Sequence, residues 1–171
     1  MPRYVAFLRG VSATNLKMSD LKCALESAGF TRVATLLSSG NVAFDTQARS
    51  VAAIERTIEA ALRSKTARDF YTIVRLEASL LKLIETDPFA SFDLEQDAKR
   101  FVVLSRNLLS PKQRLPIEKD GAQILVAHDR EAFGAYVRSP KGPVFMELIK
   151  QCFGSEVTTR TWDTISRCSK A

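Results

Sequence analysis

The first 77 residues alternate short apolar strands with amphipathic helices, and this order limits the fold more than any other feature of the sequence. Strands rich in Val, Ile, Phe and Tyr are predicted at residues 3–9, 32–37, 42–44 and 72–76. Between them, apolar residues recur every three or four positions in one helix over residues 18–28 and in another that begins after Ser50. This βαββαβ order predicts a ferredoxin-like plait with strand order 4-1-3-2.

The second half of the chain is predicted to form another α+β lobe, with the order βαββα and a C-terminal helix. Its predicted elements are a helix at 78–86, a loop at 90–99, a strand at 100–105, a short helix after Pro111, strands at 122–127 and 132–138, and helices at 143–152 and 161–169. In the last helix we expect Thr159 to be the N-cap, with Trp162, Ile165 and Cys168 or Ser169 facing the core. The predicted fold class is therefore α+β, with lobes at 1–77 and 78–171 packed as one compact unit.

The composition favours anionic partners and gives no indication of a metal. The 171 residues carry a formal charge of +6 at pH 7, which attracts phosphate compounds or nucleic acid, although no run of five Lys or Arg occurs. Cys23, Cys152 and Cys168 lack the spacing of a metal site or redox pair, so we expect no metal and no cofactor. Reduced cysteines and the lack of a signal sequence or long apolar stretch favour a cytoplasmic location without a membrane partner.

Two polar strings adjoin the predicted strands, at Leu8-Arg9-Gly10 and at Ser38-Ser39-Gly40-Asn41. In the predicted plait, strand 1 runs antiparallel to strand 3, so the end of strand 1 lies beside the start of strand 3. The topology therefore brings both strings to one edge of the sheet.

This edge has the chemistry of an anion site. A guanidinium matches carboxylate or phosphate, a glycine turn exposes backbone N–H groups, and the start of a helix adds positive potential. We predict that a small anionic or nucleotide-like ligand binds here, and the residues predicted to bind it are Arg9, Asn15, Lys17, Ser39, Gly40 and Asn41.

Other interpretations of these residues stay open. Ser39 and Asn41 are residue types that also satisfy a tight hairpin locally. An enzyme at the same edge would need a titratable group, for which Lys17, Asp69 and Tyr71 are the nearby candidates. Nucleic-acid binding by a basic surface is a third alternative, although strand 3 carries Asn41 and Ala43 where an RNA-recognition motif has stacking aromatics. A protein-interaction module would instead show an uncovered apolar patch.

The same strings resemble the bacterial family called domain of unknown function 1697. The matching residues are Leu8-Arg9-Gly10, Met18 with Leu21, Ser39-Gly40-Asn41-Val42 with Phe44, Pro88-Phe89, Thr159-Arg160, Trp162 and Thr164. The resemblance implies a two-lobed α+β protein with a ferredoxin-like N-terminal part and implies no activity. The chain departs from the family at Val11-Ser12-Ala13-Thr14, where a glycine pair is usual, and at Thr161 and Asp163, where asparagines are usual.

The C-terminal string around Thr159-Arg160 adds one more candidate for the site, because the Arg160 side chain has two possible uses. It can hold the last helix in place by reaching a carbonyl or an acid, or it can join Arg9 in the anion site. His128, the only histidine, stands at a strand end, and the adjacent Asp129 is poorly placed to orient it.

Overall fold

The structure, a computed structural model, describes all 171 residues and divides them into two compact units. Unit 1 contains Met1–Glu85 and Ser166–Ala171, and unit 2 contains Thr86–Ile165. Each unit is built around one antiparallel sheet with helices, so the chain is an α+β protein, as predicted.

Unit 1 contains a four-stranded sheet whose order, β2-β3-β1-β4, is the one predicted from the sequence. Its elements are β1 (Arg3–Leu8), α1 (Met18–Ser27), β2 (Thr31–Leu36), β3 (Asn41–Asp45), α2 (Val51–Thr66), β4 (Thr72–Leu76) and α3 (Glu77–Thr86). All neighbouring strands are antiparallel, and β1 and β3 occupy the centre.

Local signals set the helix ends in unit 1. The Oγ of Ser50 accepts the N–H of Ala53 at 3.2 Å and so caps α2, as predicted. Helix α1 is followed by Gly29 at φ +94°, and the N–H of Phe30 returns to the carbonyl of Leu25 at 3.2 Å. This bond uses a carbonyl that the end of a helix would otherwise leave without a partner.

The core of unit 1 lies between one face of the sheet and the apolar faces of α1 and α2. Leu8, Val42 and Phe44 project from the sheet into a cluster that includes Leu25 and Ile58 from the helices, and all five are buried. Their burial removes apolar surface from water, which contributes about 1.5–3 kcal/mol for each large side chain.

Helix α2 also satisfies the outer edge of β4. Glu55 accepts the N–H of Val74 through Oε1, and Glu59 accepts the N–H of Thr72, each at 3.0 Å. Because β4 is an outer strand, these amides have no strand partner. Two carboxylates that look solvent-facing in the sequence therefore complete the sheet.

A cluster of charged side chains lies where β1 begins and β3 ends. Asp45 accepts a hydrogen bond from Arg3 at 2.7 Å and another from Arg32 at 3.0 Å, and only 7% of its side chain is exposed. Burial alone would raise the pKa of Asp45, but the hydrogen bonds and charges of Arg3 and Arg32 outweigh it and lower the pKa.

Unit 2 contains a five-stranded antiparallel sheet with the order β6-β7-β8-β5-β9. Its elements are β5 (Lys99–Ser105), β6 (Ile117–Lys119), β7 (Ala122–His128), β8 (Glu131–Tyr136), α4 (Val144–Phe153), β9 (Val157–Thr161) and α5 (Trp162–Cys168). Helix α4 packs Leu148 and Cys152 into a core cluster with Phe101 and Ile124 from the sheet.

The predicted short helix after Pro111 is wrong. Residues 111–116 form no helix, and the next element is strand β6, which pairs with β7 around the turn at Asp120 and Gly121. Both turn residues have positive φ, at +50° and +85°, which a two-residue hairpin loop of this kind requires. The Asp-Gly pair was the local signal for this hairpin.

The predicted N-cap of the last helix, Thr159, is wrong, although the predicted span of 161–169 is close to the observed Trp162–Cys168. Residues 157–161 form strand β9, in which Thr159 pairs with Val103 and Arg160 pairs with Val102. The β-branched residues of this segment favour a strand, and the N-cap is Thr161, whose Oγ1 accepts the N–H of Thr164 at 3.2 Å. Ile165, Cys168 and Ser169 are buried, as predicted, whereas Trp162 is half-buried.

Aromatic rings join the loop before β5 to the start of α5. The ring of Phe89 meets those of Trp162 and Phe133 edge to face, at 5.0 and 5.8 Å between centroids, and the guanidinium of Arg100 lies 5.5 Å from the Phe89 centroid. Two of the strings that carry the family resemblance, Pro88-Phe89 and the one around Trp162, therefore have a packing role. In the chain as a whole, none of the helices has the length and apolar character required to cross a membrane.

Candidate functional site

The two polar strings meet at one end of the sheet in unit 1, as the topology predicted. The N–H of Leu8 donates to the carbonyl of Gly40 at 2.8 Å, and Phe7 pairs with Asn41 in the β1–β3 register. The N–H of Arg9 donates to the carbonyl of Tyr71 at 2.9 Å, so the segment before β4 ends here as well. We call this end of unit 1 the loop edge and define it by residues 9–17, 37–40 and 65–71.

Asn15 holds the first segment of the loop edge in a fixed shape. Its Nδ2 donates to the carbonyl of Gly10 at 2.7 Å, and its Oδ1 accepts the N–H of Ser12 at 2.8 Å. The side-chain amide thus spans the loop between β1 and α1 and leaves Lys17 as the residue before the helix. Both of its hydrogen-bond partners are within the loop itself, so the Asn15 side chain positions the loop backbone.

The second segment is a tight turn held by its own side chains. The Nδ2 of Asn41 donates to the carbonyl of Leu36 at 3.0 Å and to the Oγ of Ser39 at 2.9 Å, and Asn41 is fully buried. Gly40 has φ +86°, and a Cβ added to it would lie 2.7 Å from the Cγ2 of Val11. Gly40 is therefore required by backbone conformation and by the packing of Val11 against the turn.

Gly10 differs from Gly40 in its surroundings. Its φ is +77°, but a Cβ added there would meet no atom within 4 Å. Gly10 is exposed next to Arg9, whereas Gly40 is buried. The backbone at Gly10 is therefore open to solvent, whereas the backbone at Gly40 is covered.

Arg9 and Lys17 are the exposed cations of the predicted set. Neither side chain makes a hydrogen bond or ion pair within the chain, and the two stand at either end of the loop that Asn15 holds. Lys17 directly precedes α1, whose ten residues give its first turn a partial positive charge. Arg9, Lys17 and the N-terminus of α1 therefore all contribute positive electrostatic potential at the same loop.

The sequence prediction missed two further cations at the loop edge. Helix α2 ends at Thr66 and β4 begins at Thr72, so Lys65 and Arg68 lie at this end of unit 1. Both are exposed, and the Lys65 ammonium donates a hydrogen bond to the Sγ of Cys23 on α1, at 3.8 Å. The alternating directions of successive elements could have indicated this position, because every second connection returns to the same end of a plait.

Arg160 belongs to unit 2, where it is the fourth residue of strand β9. Its guanidinium donates to the Oγ1 of Thr158 at 2.8 Å and to the carbonyl of Thr159 at 2.9 Å, and 8% of the residue is exposed. His128 is exposed at the end of β7, where the hairpin turns into β8. Asp69, a candidate acid of the loop edge, pairs with Arg63.

Comparison with known proteins identifies a family and a fold. The family described as protein of unknown function DUF1697 matches residues 1–133. The chain is similar in structure to a conserved bacterial protein from Streptococcus pneumoniae, with a TM-score of 0.71 and 17% identity over 99% of this chain and 97% of that chain. At this identity, the likeness shows a shared fold alone. No curated protein matches the chain.

Proposed function

Because this chain belongs to the DUF1697 family, whose description assigns no activity, we propose its function from its own geometry: the loop edge binds a small anionic or nucleotide-like ligand. The observation that carries the proposal is the pair of exposed cations without partners, Arg9 and Lys17, on a loop held by Asn15. A loop that is already ordered loses little conformational entropy when a ligand binds.

The chemistry of the two cations suits a phosphate or carboxylate. A guanidinium offers two parallel N–H donors that match two oxygens of one anion, whereas the ammonium of Lys17 acts as a point charge. Since neither side chain has an ion pair to break, binding carries no cost for losing an internal partner.

The other predicted residues act indirectly in this proposal. Asn15 positions the loop, and Ser39, Gly40 and Asn41 keep the neighbouring turn in the shape against which Val11 packs. Arg160, a buried residue of unit 2, stays a sequence-based prediction in the ligand-binding set. An Arg160→Ala variant that loses stability but keeps its affinity for the ligand would assign Arg160 a purely structural role.

The test is calorimetric titration of the full chain with inorganic phosphate, nucleoside phosphates and small carboxylates at low ionic strength. A charge-assisted contact contributes about 1.5–3 kcal/mol, so Arg9→Ala should weaken binding by about 10-fold or more. The matched control is Arg56→Ala, which removes an exposed arginine without a partner from the middle of α2. The absence of binding, or an equal loss in both variants, would refute the proposal.

An enzyme at the same edge would need a general acid or base close to the ligand. Asp69 is 74% exposed and paired with Arg63, which keeps its carboxylate in an ion pair at the surface. The geometry therefore favours binding over catalysis as the function to test first. A cytoplasmic location is part of the proposal and is supported by three free cysteines, two of which are buried.

A further inference from the structure

The net positive charge of the chain is confined to unit 1. Counted from the sequence, unit 1 contains fourteen Lys and Arg and eight Asp and Glu, whereas unit 2 contains eleven of each. The charge of +6 is therefore the charge of unit 1, and unit 2 is neutral. Lys and Arg are scattered along the whole sequence, so this asymmetry becomes visible only when the boundaries of the two units are known.

Most carboxylates of unit 1 are already engaged. Asp45 pairs with Arg3 and Arg32, while Glu55 and Glu59 accept amides of β4. Asp45 lies at the other end of the sheet, where it pairs with Arg3, whereas Glu59 accepts the N–H of Thr72 and keeps its negative charge near the loop edge. The cations near it are Arg9, Lys17, Arg63, Lys65 and Arg68, and the acids are Asp20, Glu59 and Asp69, which leaves a local charge of +2.

These cations extend over more than one loop. Arg9 continues β1, Lys17 precedes α1, and the other three belong to the end of α2 and the segment that follows it. The contact between Cys23 and Lys65 shows that α1 and α2 are neighbours here, and packed helices lie about 8–10 Å apart. A single phosphate group reaches part of such a surface, whereas a chain of phosphates reaches all of it.

We propose that the loop edge binds the phosphate backbone of a nucleic acid without sequence preference. This proposal rests on the proposed function, because it names the class of anion that the same edge takes. The recognition is electrostatic, because it uses the exposed ammonium and guanidinium groups of the edge; of the two aromatic residues there, Phe70 is buried and Tyr71 is half-buried. Release of counterions from the phosphates then supplies the affinity and makes it depend strongly on salt.

The test measures binding of a short fluorescein-labelled DNA duplex by anisotropy, between about 50 and 200 mM salt. Each phosphate contact contributes about −0.9 to the slope of log K against log salt, so contacts from Arg9, Lys17, Lys65 and Arg68 predict a slope near −3.6. Replacing Lys65 and Arg68 by Gln should reduce the slope to about −1.8. The side chains are exposed, so circular dichroism should show an unchanged fold.

The charge-matched control replaces Arg49 and Arg56 by Gln. It removes the same two charges from unit 1, but Arg49 precedes the other end of a 16-residue helix about 24 Å long. An unchanged slope in this control, with a reduced slope in the Lys65/Arg68 variant, supports a localised surface. Equal reductions in both variants would overturn the proposal in favour of diffuse charge.

Two further outcomes separate this inference from the proposed function. If phosphate binds in an Arg9-dependent way and the duplex does not bind at about 50 mM salt, the nucleic-acid proposal fails and the small-anion proposal stands. If the duplex binds and phosphate does not, the small-ligand proposal alone fails. Vesicles with anionic lipid serve as a third probe. Lys65- and Arg68-dependent binding to vesicles, without duplex binding, would assign the surface to membranes and overturn the inference.

Discussion

Gly40 offers a direct test of whether the turn at residues 37–40 needs a glycine for packing or for ligand binding. An alanine at position 40 must adopt φ +86°, which costs about 1–2 kcal/mol for a residue with a Cβ. It must also displace Val11, because the new Cβ would lie 2.7 Å from Cγ2 of that residue and 3.2 Å from the Cβ of Leu8. Overpacking of this kind costs about 1–3 kcal/mol more.

Gly10→Ala is the matched control, because Gly10 has φ +77° and open space around its added Cβ. We expect the control to lose only the backbone term, so that Gly40→Ala is less stable than Gly10→Ala by about 1–3 kcal/mol. Urea unfolding followed by circular dichroism measures both free energies. The double variant with Val11→Ala should recover part of the Gly40→Ala loss, as expected for two residues in contact.

Equal losses of stability for the two glycine variants would refute the packing argument. Calorimetry with phosphate gives the second comparison. If Gly40 holds its turn for packing, a folded Gly40→Ala protein keeps its affinity for the anion. A large loss of affinity in a variant of normal stability would instead make Gly40 part of the binding surface.

Three further predictions concern other parts of the chain. Asp45→Asn should lower the free energy of unfolding by about 2–3 kcal/mol at neutral pH. Because the pKa of Asp45 is lowered in the folded protein, the difference between the two proteins is complete above the ordinary pKa of 3.8 and is lost as the pH falls from there through the folded pKa. Urea midpoints at neutral and acid pH measure this loss. Asn15→Ala should reduce the free energy of anion binding by more than it reduces the free energy of unfolding. An affinity measured by calorimetry that equals that of the original protein would contradict the positioning role. Trp162→Ala should lower the free energy of unfolding by about 3 kcal/mol through lost contacts with Phe89, and Trp162→Phe should lose clearly less in the same urea titration.

The candidate site could be predicted only in part from the sequence. Periodicity and turn residues located β1, β3 and β4, and the antiparallel order then required Arg9 and Gly40 to be neighbours. The roles of the individual polar residues could not be predicted in this way. Whether Asn15 faces a ligand or its own loop depends on the direction of one side-chain amide, which no pattern in the sequence specifies.

The sequence prediction missed strands β9 and β6, where the local sequence gives few or conflicting indications of secondary structure. Residues 157–161 lead directly into α5, so the strand and the helix share a boundary at Thr161 and Trp162 with no turn residue between them. The hairpin at Asp120–Gly121 had a strong local signal, but β6 has only three residues, too few for a visible alternation.

The sequence by itself determined the α+β class, the order of strands and helices in unit 1, and the edge at which the polar strings meet, because these follow from hydrophobic periodicity and antiparallel topology. The tertiary structure decided which charges are free. Asp45, Glu55 and Glu59 are engaged by partners distant in the sequence, whereas Arg9 and Lys17 are left exposed. Electrostatic interaction depends on distance and burial in space, so the sum of charges along a chain cannot show where a net charge is available to a partner.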